Sequence, residues 1–249
     1  MGYISRVFAL DCQSCVSFRP LIKEAGVKTR DKILMKSQDL FNERGERNVT
    51  TNHIAAALGI SPGNLYYHFR NKEEIIFDLF LQYESRTQSL LMAPADRDLT
   101  YTDKIGYFEG ILNNMWEYRF LHRDLEQILD GNPALRERYR NFALLILNQG
   151  RRIYERLAES GLVEADDDAI EALIVNIWVV TSSWISFLHT SGIYGKNEDI
   201  SRDLLRKGIY QIVMLEAPYL RGEAQDKLPE MKHYYGGPAN PDQSSLRMA

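Results

Sequence analysis

The segment 50–72 constrains the fold of this chain most, because its capping and turn residues leave few alternatives. Thr50 or its neighbour Thr51 can accept a backbone N–H and so begin a short helix. Gly59 follows this helix, at a position where a positive φ costs a glycine little. Ser61 can then cap a second helix. The segment therefore predicts two short helices joined by a tight turn.

The second short helix has one apolar side and one polar, aromatic side. Leu65 and Phe69 are four residues apart, so both are expected to face the core. Pro62 suits the first helical position, where a missing N–H costs no hydrogen bond. The pattern is that of a helix-turn-helix, whose second helix enters the DNA major groove by its N-terminal end. The residues left on the outer faces are Pro62, Gly63, Asn64, Tyr66, Tyr67 and His68.

These positions resemble the DNA-binding domain of the TetR family of transcriptional repressors, over roughly residues 28–92. The matching residues are Ile54-Ala55, Gly59-Ile60-Ser61, Gly63, Leu65-Tyr66, His68-Phe69 and Lys72. The resemblance implies that Tyr66, His68 and Lys72 contact phosphates.

Other contacts follow from the residue types. Hydroxyls and N–H groups at the start of the first short helix can contact phosphates, and the exposed N-terminal part of the second can contact base edges. The predicted additional phosphate contacts are Thr50, Thr51 and Asn52, and the predicted base contacts are Pro62, Gly63, Asn64 and Tyr67, with Ser61 completing the set of predicted DNA-binding residues.

The charge distribution agrees with a nucleic-acid-binding module. The chain of 249 residues has a formal net charge of −4. Residues 28–72 carry eight Lys or Arg and four Asp or Glu, a net charge of +4, so the rest of the chain carries −8. A basic module on an acidic body is typical of a DNA-binding protein with a separate second domain.

The fold class is predicted to be all-α, because helical patterns recur and no segment has strand alternation with hairpin turns. We expect an N-terminal three-helix helix-turn-helix domain with a linking helix (27–92) and a C-terminal helical ligand-binding and dimerisation domain (93–220). Residues 1–26 are expected to be a poorly ordered extension, in which Val27 could be the true initiator. Residues 221–249 are expected to be a flexible tail, because Gly, Pro, Asn and Ser are frequent there.

The segment 172–191 contains no Asp, Glu, Lys or Arg and is long enough to cross a membrane. Polar residues such as Asn176, Ser182 and His189 interrupt it and no basic flank orients it, so a helix buried in a core or an interface is favoured, with no membrane contact. The resemblance implies that the chain forms a homodimer through its last two long helices, about 166–191 and 198–217.

The resemblance also implies a small-molecule pocket in the second domain. Aromatic residues at helical spacing, with a few polar neighbours, would suit an apolar or amphipathic effector, although such residues also form ordinary cores. Other candidates are Tyr107, Phe108, Ile111, Met115, His122 and Trp184. The predicted pocket residues are Glu109, Asn113, Trp116, Phe120, Trp178 and Thr181.

No catalytic constellation, metal site or cofactor motif stands out. Cys12 and Cys15 lack further ligands nearby in sequence, so a zinc site is not predicted. We expect a cytoplasmic, ligand-responsive repressor that binds a pseudo-palindromic double-stranded DNA operator as a homodimer. The alternative is a small-molecule-binding or protein-interaction module in which the helix-turn-helix is only a scaffold.

Overall fold

The structure is a computed structural model that describes residues 28–192 and 201–236. The described residues form α-helices and two short 3₁₀ turns, and one isolated β-bridge joins Val163 to Leu220. In chain order the helices are α1 Thr29–Arg44, α2 Thr51–Leu58, α3 Pro62–His68, α4 Lys72–Leu90, α5 Tyr101–Glu117, α6 Arg119–Arg123, α7 Leu125–Asp130, α8 Pro133–Glu159, α9 Asp167–Ser191, α10 Arg202–Glu216, α11 Gly222–Asp226 and α12 Leu228–Gly236. The all-α prediction is confirmed.

Helices α1 to α4 form the first unit, with α1 packed on both α2 and α4. Its core contains apolar side chains from all four helices, including Phe41, Ile54, Leu65 and Leu79. Asn71 caps α4 by accepting the N–H of Glu74 at 2.9 Å. Helix α4 then continues for 19 residues and reaches the second domain.

The core of the first unit extends beyond the predicted boundary at residue 92. Phe120 of α6 is fully buried there, with its ring centroid 5.2 Å from that of Phe41. Asn42 donates to the carbonyl of Glu117 at 2.8 Å and accepts the N–H of Phe120 at 3.1 Å. Because α6 is bonded to α1 in this way, the two units share a core and are not joined by α4 alone.

The second domain is built around α9, which packs against α6, α8 and α10. By length and composition alone α9 is apolar enough to cross a membrane. Its contacts with three helices give it one core side, but only 28% of its apolar window is buried. The predicted burial of 172–191 all round is therefore not met within one chain, and its interface role stays a prediction.

The prediction of a flexible tail from residue 221 is wrong over 222–236. Helices α11 and α12 lie there, and α12 packs on α10. Met231 and Tyr235 are buried, and the Tyr235 hydroxyl donates to Glu109 at 2.8 Å. Composition misled because these few apolar residues are buried by distant helices. The predictions for residues 1–26, for the start of the last long helix at 198 and for 237–249 lie outside the described residues.

Candidate DNA interface and ligand cavity

Local hydrogen bonds fix the two short helices as the sequence predicts. The N–H of His53 donates to Thr50 Oγ1 at 3.2 Å, and the N–H of Thr50 donates to His53 Nδ1 at 3.3 Å. Gly59 has φ 66°, a left-handed conformation that ends α2. Ser61 accepts the N–H of Asn64 at 3.1 Å and so caps α3. These local contacts therefore fix where α2 begins and ends and where α3 begins.

The outer face of α3 is open to solvent. Leu65 and Phe69 are buried in the core, as predicted. The N-terminal positions from Ser61 to Asn64 are all exposed. Tyr67 is 85% exposed. The predicted base-contacting side chains therefore share one accessible surface.

The predicted phosphate-contacting residues lie around this surface. Thr51 Oγ1 and the Tyr66 hydroxyl are 3.1 Å apart, and either can donate to the other. Two hydroxyls that share one hydrogen bond retain a second hydrogen for an outside acceptor. Asn52 is exposed beside this pair, and the His68 ring packs edge-on against Tyr67 at 5.1 Å between centroids. These positions suit phosphate contacts at the edges of α3.

Lys72 has a different environment from the one expected of an outward phosphate ligand. Its Nζ lies 2.5 Å from Glu46 Oε1 and donates to the Glu46 carbonyl at 3.1 Å. Glu46 also accepts from Gln127 of α7 at 3.3 Å, and its N–H donates to Asp124 at 3.2 Å. Lys72 therefore ties the start of α4 to the junction with the second domain, and its phosphate contact stays a prediction.

The second domain contains an apolar cavity between α4, α5, α8 and α9. Its cavity volume is about 100 Å³, and the atom-free space that also counts its opening to solvent is about 810 Å³. Trp178 and Thr181, two of the predicted pocket residues, lie in its wall. The full lining is Tyr83, Thr87, Leu91, Lys104, Tyr107, Phe108, Ile111, Phe142, Ile146, Leu147, Gly150, Ile153, Tyr154, Leu157, Ile174, Ile177, Trp178 and Thr181.

Four predicted pocket residues lie outside this wall. Phe120 belongs to the core shared with α1, because the chain breaks between α5 and α6 at Tyr118 and turns Phe120 toward the first unit. Glu109 faces α12, where it accepts the Tyr235 hydroxyl.

The other two predicted pocket residues outside the wall are Trp116 and Asn113, both on α5. The guanidinium carbon of Arg119 lies 4.6 Å from the centre of the Trp116 ring, and that of Arg202 lies 5.6 Å from it. Asn113 is half-buried but does not line the cavity. Helical spacing alone could not separate the face of α5 that lines the cavity from these faces.

A stripe of side chains on α8 forms a wall of the cavity that was not predicted. The residues of this stripe recur every three or four positions, which is the signal for one helical face. They were missed because the same pattern also predicts an ordinary core. The stripe consists of Phe142, Ile146, Leu147, Gly150, Ile153, Tyr154 and Leu157.

A buried ion pair closes one side of the cavity. Lys104 Nζ contacts Glu216 Oε1, and the Tyr154 hydroxyl donates to Glu216 Oε2 at 2.5 Å. Burial, together with the adjacent Glu216 carboxylate, holds the pKa of Tyr154 well above its usual value. The charged groups at this side therefore neutralise each other, and the cavity has no net charge from them.

A smaller compartment of about 20 Å³, room for about one water molecule, lies beside the cavity and reaches His122. Burial lowers the pKa of His122 to about 4, although a hydrogen bond with the Ser182 backbone favours the protonated form. The imidazole is therefore neutral near pH 7. Its Nε2 has no hydrogen-bond partner among the described residues.

Two family models match the chain. Residues 33–79 match the model described as "Bacterial regulatory proteins, tetR family", and residues 82–228 match the model described as "Bacterial transcriptional repressor". Together they cover the helix-turn-helix and the cavity domain.

Curated relatives are similar over the first unit. The regulator UidR of Escherichia coli K12 is 34% identical over 68 residues, which are 27% of this chain and 35% of UidR. The regulator QacR of Staphylococcus aureus Mu50 is 39% identical over 59 residues, which are 24% of this chain and 31% of QacR. The chain thus spans about a third of the length of these relatives.

A solved structure matches almost throughout. The TetR-family transcriptional regulator of Marinobacter aquaeolei VT8 is 44% identical, with a TM-score of 0.76, and the match covers 84% of this chain and 99% of that one. Similarity at this level, together with a family model that spans 82–228, shows the family. The chain belongs to the TetR family of bacterial transcriptional regulators.

Proposed function

We propose that this protein is a sequence-specific DNA-binding repressor whose operator affinity is controlled by a small molecule in the second domain. The observation that carries the proposal is the exposed N-terminal face of α3, where Asn64 and Tyr67 extend from a helix whose other side is fully packed. A helix of this kind fits the DNA major groove. Its activity would be exerted in the cytoplasm, where the chromosome lies.

The side chains on this face divide into two roles. Asn64 can make paired hydrogen bonds with an adenine edge, and Tyr67 or Pro62 can pack against a thymine methyl group. The Thr51–Tyr66 hydroxyl pair lies beside them and suits a phosphate, which fixes position without reading sequence. We expect base preference to depend on the first group and overall affinity on the second.

A homodimer is supported by the apolar side chains that α9 and α10 leave exposed. They include Val175, Val179 and Phe187 on α9 and Met214 on α10. The Trp184 indole N–H donates to the Leu204 carbonyl at 2.8 Å and joins the two helices into one surface. A second copy packed there would place two α3 helices on successive turns of DNA, about 34 Å apart.

The cavity supports a ligand response because it lies against α4, the helix that begins at the helix-turn-helix. Tyr83 and Thr87 of α4, and Leu91 directly after it, line its wall. A ligand that binds better when α4 is displaced would weaken operator binding by the same factor. A tenfold change requires only about 1.4 kcal/mol of coupling.

The test is selection of bound sequences from a random DNA pool with the purified protein, followed by titrations of the selected site at several salt concentrations. We expect a two-fold symmetric motif and an affinity that falls steeply with salt, because phosphate contacts release counterions. Tyr67→Ala should change the selected motif, because each base contact that is lost reduces the discrimination between bases by about 1–3 kcal/mol.

A matched stability measurement separates binding from folding. Tyr67 is almost fully exposed, so the Tyr67→Ala variant should melt at the wild-type temperature. An unchanged motif in a folded variant would show that α3 does not enter the groove as proposed. No enriched sequence at low salt, with and without cell extract, would favour the scaffold alternative.

A further inference from the structure

The cavity and the smaller compartment beside it form two parts of one apolar space. The same four side chains, Tyr83, Phe142, Trp178 and Thr181, line both. These side chains stand between the two parts and are packed mainly through aromatic ring contacts, such as Phe142 with Trp178 at 6.0 Å between centroids. A molecule that replaces some of these ring contacts can occupy both parts.

One residue that lines each part has a buried polar atom with no hydrogen-bond partner among the described residues. Tyr107, whose hydroxyl oxygen is such an atom, lines the larger part, and His122, through its Nε2, lines the smaller part. Tyr107 does not line the smaller part, and His122 does not line the larger one. Native proteins leave few such groups unpaired, so two in one space indicate a missing hydrogen-bonding partner for each.

The walls offer no net charge. Within 28–192 and 201–236, Lys104 is the only charged side chain that lines either part, and Glu216 neutralises it. The second oxygen of Glu216 is occupied by Tyr154. An isolated carboxylate or ammonium brought into such a space would lose its hydration without gaining a counterion.

We propose that this space binds one elongated, uncharged, largely apolar molecule with a hydrogen-bonding group at each end, one end at the Tyr107 hydroxyl and the other at Nε2 of His122. The inference rests on the proposed function, in which the second domain holds the effector, and it adds the chemical class. An aliphatic diol is the simplest molecule of this class. A hydroxyl both donates and accepts, so it can pair with either atom.

The first measurement compares four ten-carbon probes by calorimetric titration and thermal shift of the full-length protein: 1,10-decanediol, 1-decanol, decanoate and decyltrimethylammonium. We expect the two neutral probes to bind and to raise the melting temperature. Each charged probe should bind at least tenfold more weakly than 1-decanol. Tighter binding of decanoate would overturn the proposal, because it would mean that Lys104 accepts an anion despite Glu216.

The second measurement uses variants at the two ends. Tyr107→Phe and His122→Leu should each weaken decanediol binding about five- to tenfold, because one hydroxyl of the probe loses its partner. Tyr101→Phe is the matched control: its hydroxyl is also buried and unpartnered, but it lies outside both walls. It should leave decanediol binding unchanged.

The outcomes separate this inference from the function on which it rests. Equal losses in Tyr107→Phe and Tyr101→Phe would refute the role of the Tyr107 end, and that comparison stands even if His122→Leu fails to fold. No binding of decanediol by a protein that still selects a DNA motif would refute the ligand class and leave the repressor proposal intact. Decanediol binding without any DNA selection would refute the repressor proposal instead.

Discussion

The buried ion pair between α5 and α10 allows the effect of one substitution to be estimated from its surroundings. Lys104 is 2% exposed and Glu216 is 0% exposed. Both carboxylate oxygens of Glu216 have partners, and the ammonium of Lys104 also lies 4.4 Å from the centre of the Phe108 ring. Glu216→Gln would remove the counter-charge and leave the ammonium in an apolar wall.

The expected loss is about 3–5 kcal/mol of unfolding free energy, the usual cost of removing one member of a buried pair. This is a large part of the roughly 5–15 kcal/mol that stabilises a typical domain. The double variant Lys104→Met with Glu216→Leu replaces both charges by apolar groups of similar size. It should lose much less than Glu216→Gln, because no unpaired charge remains.

Urea unfolding followed by circular dichroism measures these values, at pH 7.5 and one fixed protomer concentration because dimerisation contributes to stability. Glu164→Gln is the matched control, since its bridge to Arg221 is on the surface and should contribute less than about 1 kcal/mol. A loss below about 1 kcal/mol in Glu216→Gln would refute the reasoning. So would a double variant whose loss equals the two single losses added together.

Three further predictions test other parts of the structure. Lowering the pH from 7 to 5 should destabilise the wild type by about 2 kcal/mol more than it destabilises the His122→Asn variant. The folded protein keeps His122 neutral, with a pKa of about 4, whereas the unfolded chain binds a proton below the ordinary histidine pKa of about 6.5. Equal losses for the two proteins in denaturant titrations at pH 7 and pH 5 would contradict this. Gly208→Ala should lower the unfolding free energy by about 1–3 kcal/mol, because the new Cβ would lie 2.8 Å from the Trp184 ring. Gly106→Ala is its control: the new Cβ would enter open space on an exposed helix face, so the same unfolding assay should show a gain of up to about 1 kcal/mol. Tyr66→Phe should weaken binding to all DNA sequences by a similar factor in a mobility-shift assay, and a changed base preference would contradict its phosphate role.

The helix-turn-helix could be predicted closely because its geometry depends on short-range contacts. Thr50, Ser61 and Asn71 each cap a helix through a backbone N–H three residues away, and Gly59 adopts the positive φ that its position requires. Such contacts are visible in any short window of sequence. The inward positions of the two short helices follow from the helical period, so the outer face of α3 was also predictable.

The ligand cavity could be predicted only in part, because its walls come from helices far apart in the sequence. Trp116 and Phe120 are four residues apart, yet the break at Tyr118 places them in different environments. Trp178 lines the cavity because α8 and α4 pack opposite it. Periodicity identifies the apolar face of each helix, but the crossing of the helices decides which part of that face meets a neighbour and which part remains beside empty space.

The same long-range packing suggests how occupancy of the cavity would reach the DNA-binding surface. Tyr83 lines both the cavity and the smaller compartment, and its ring contacts Tyr118 and His122 at 5.6 and 5.4 Å between centroids. The segment that carries these two residues is bonded to α1 through Asn42, which accepts the N–H of Phe120. A ligand that displaces Tyr83 therefore acts on α4 directly and on α1 through α6. Under the proposed function, the ligand and the operator would compete for the position of these two helices, and the strength of that competition equals the difference in ligand affinity between the two positions.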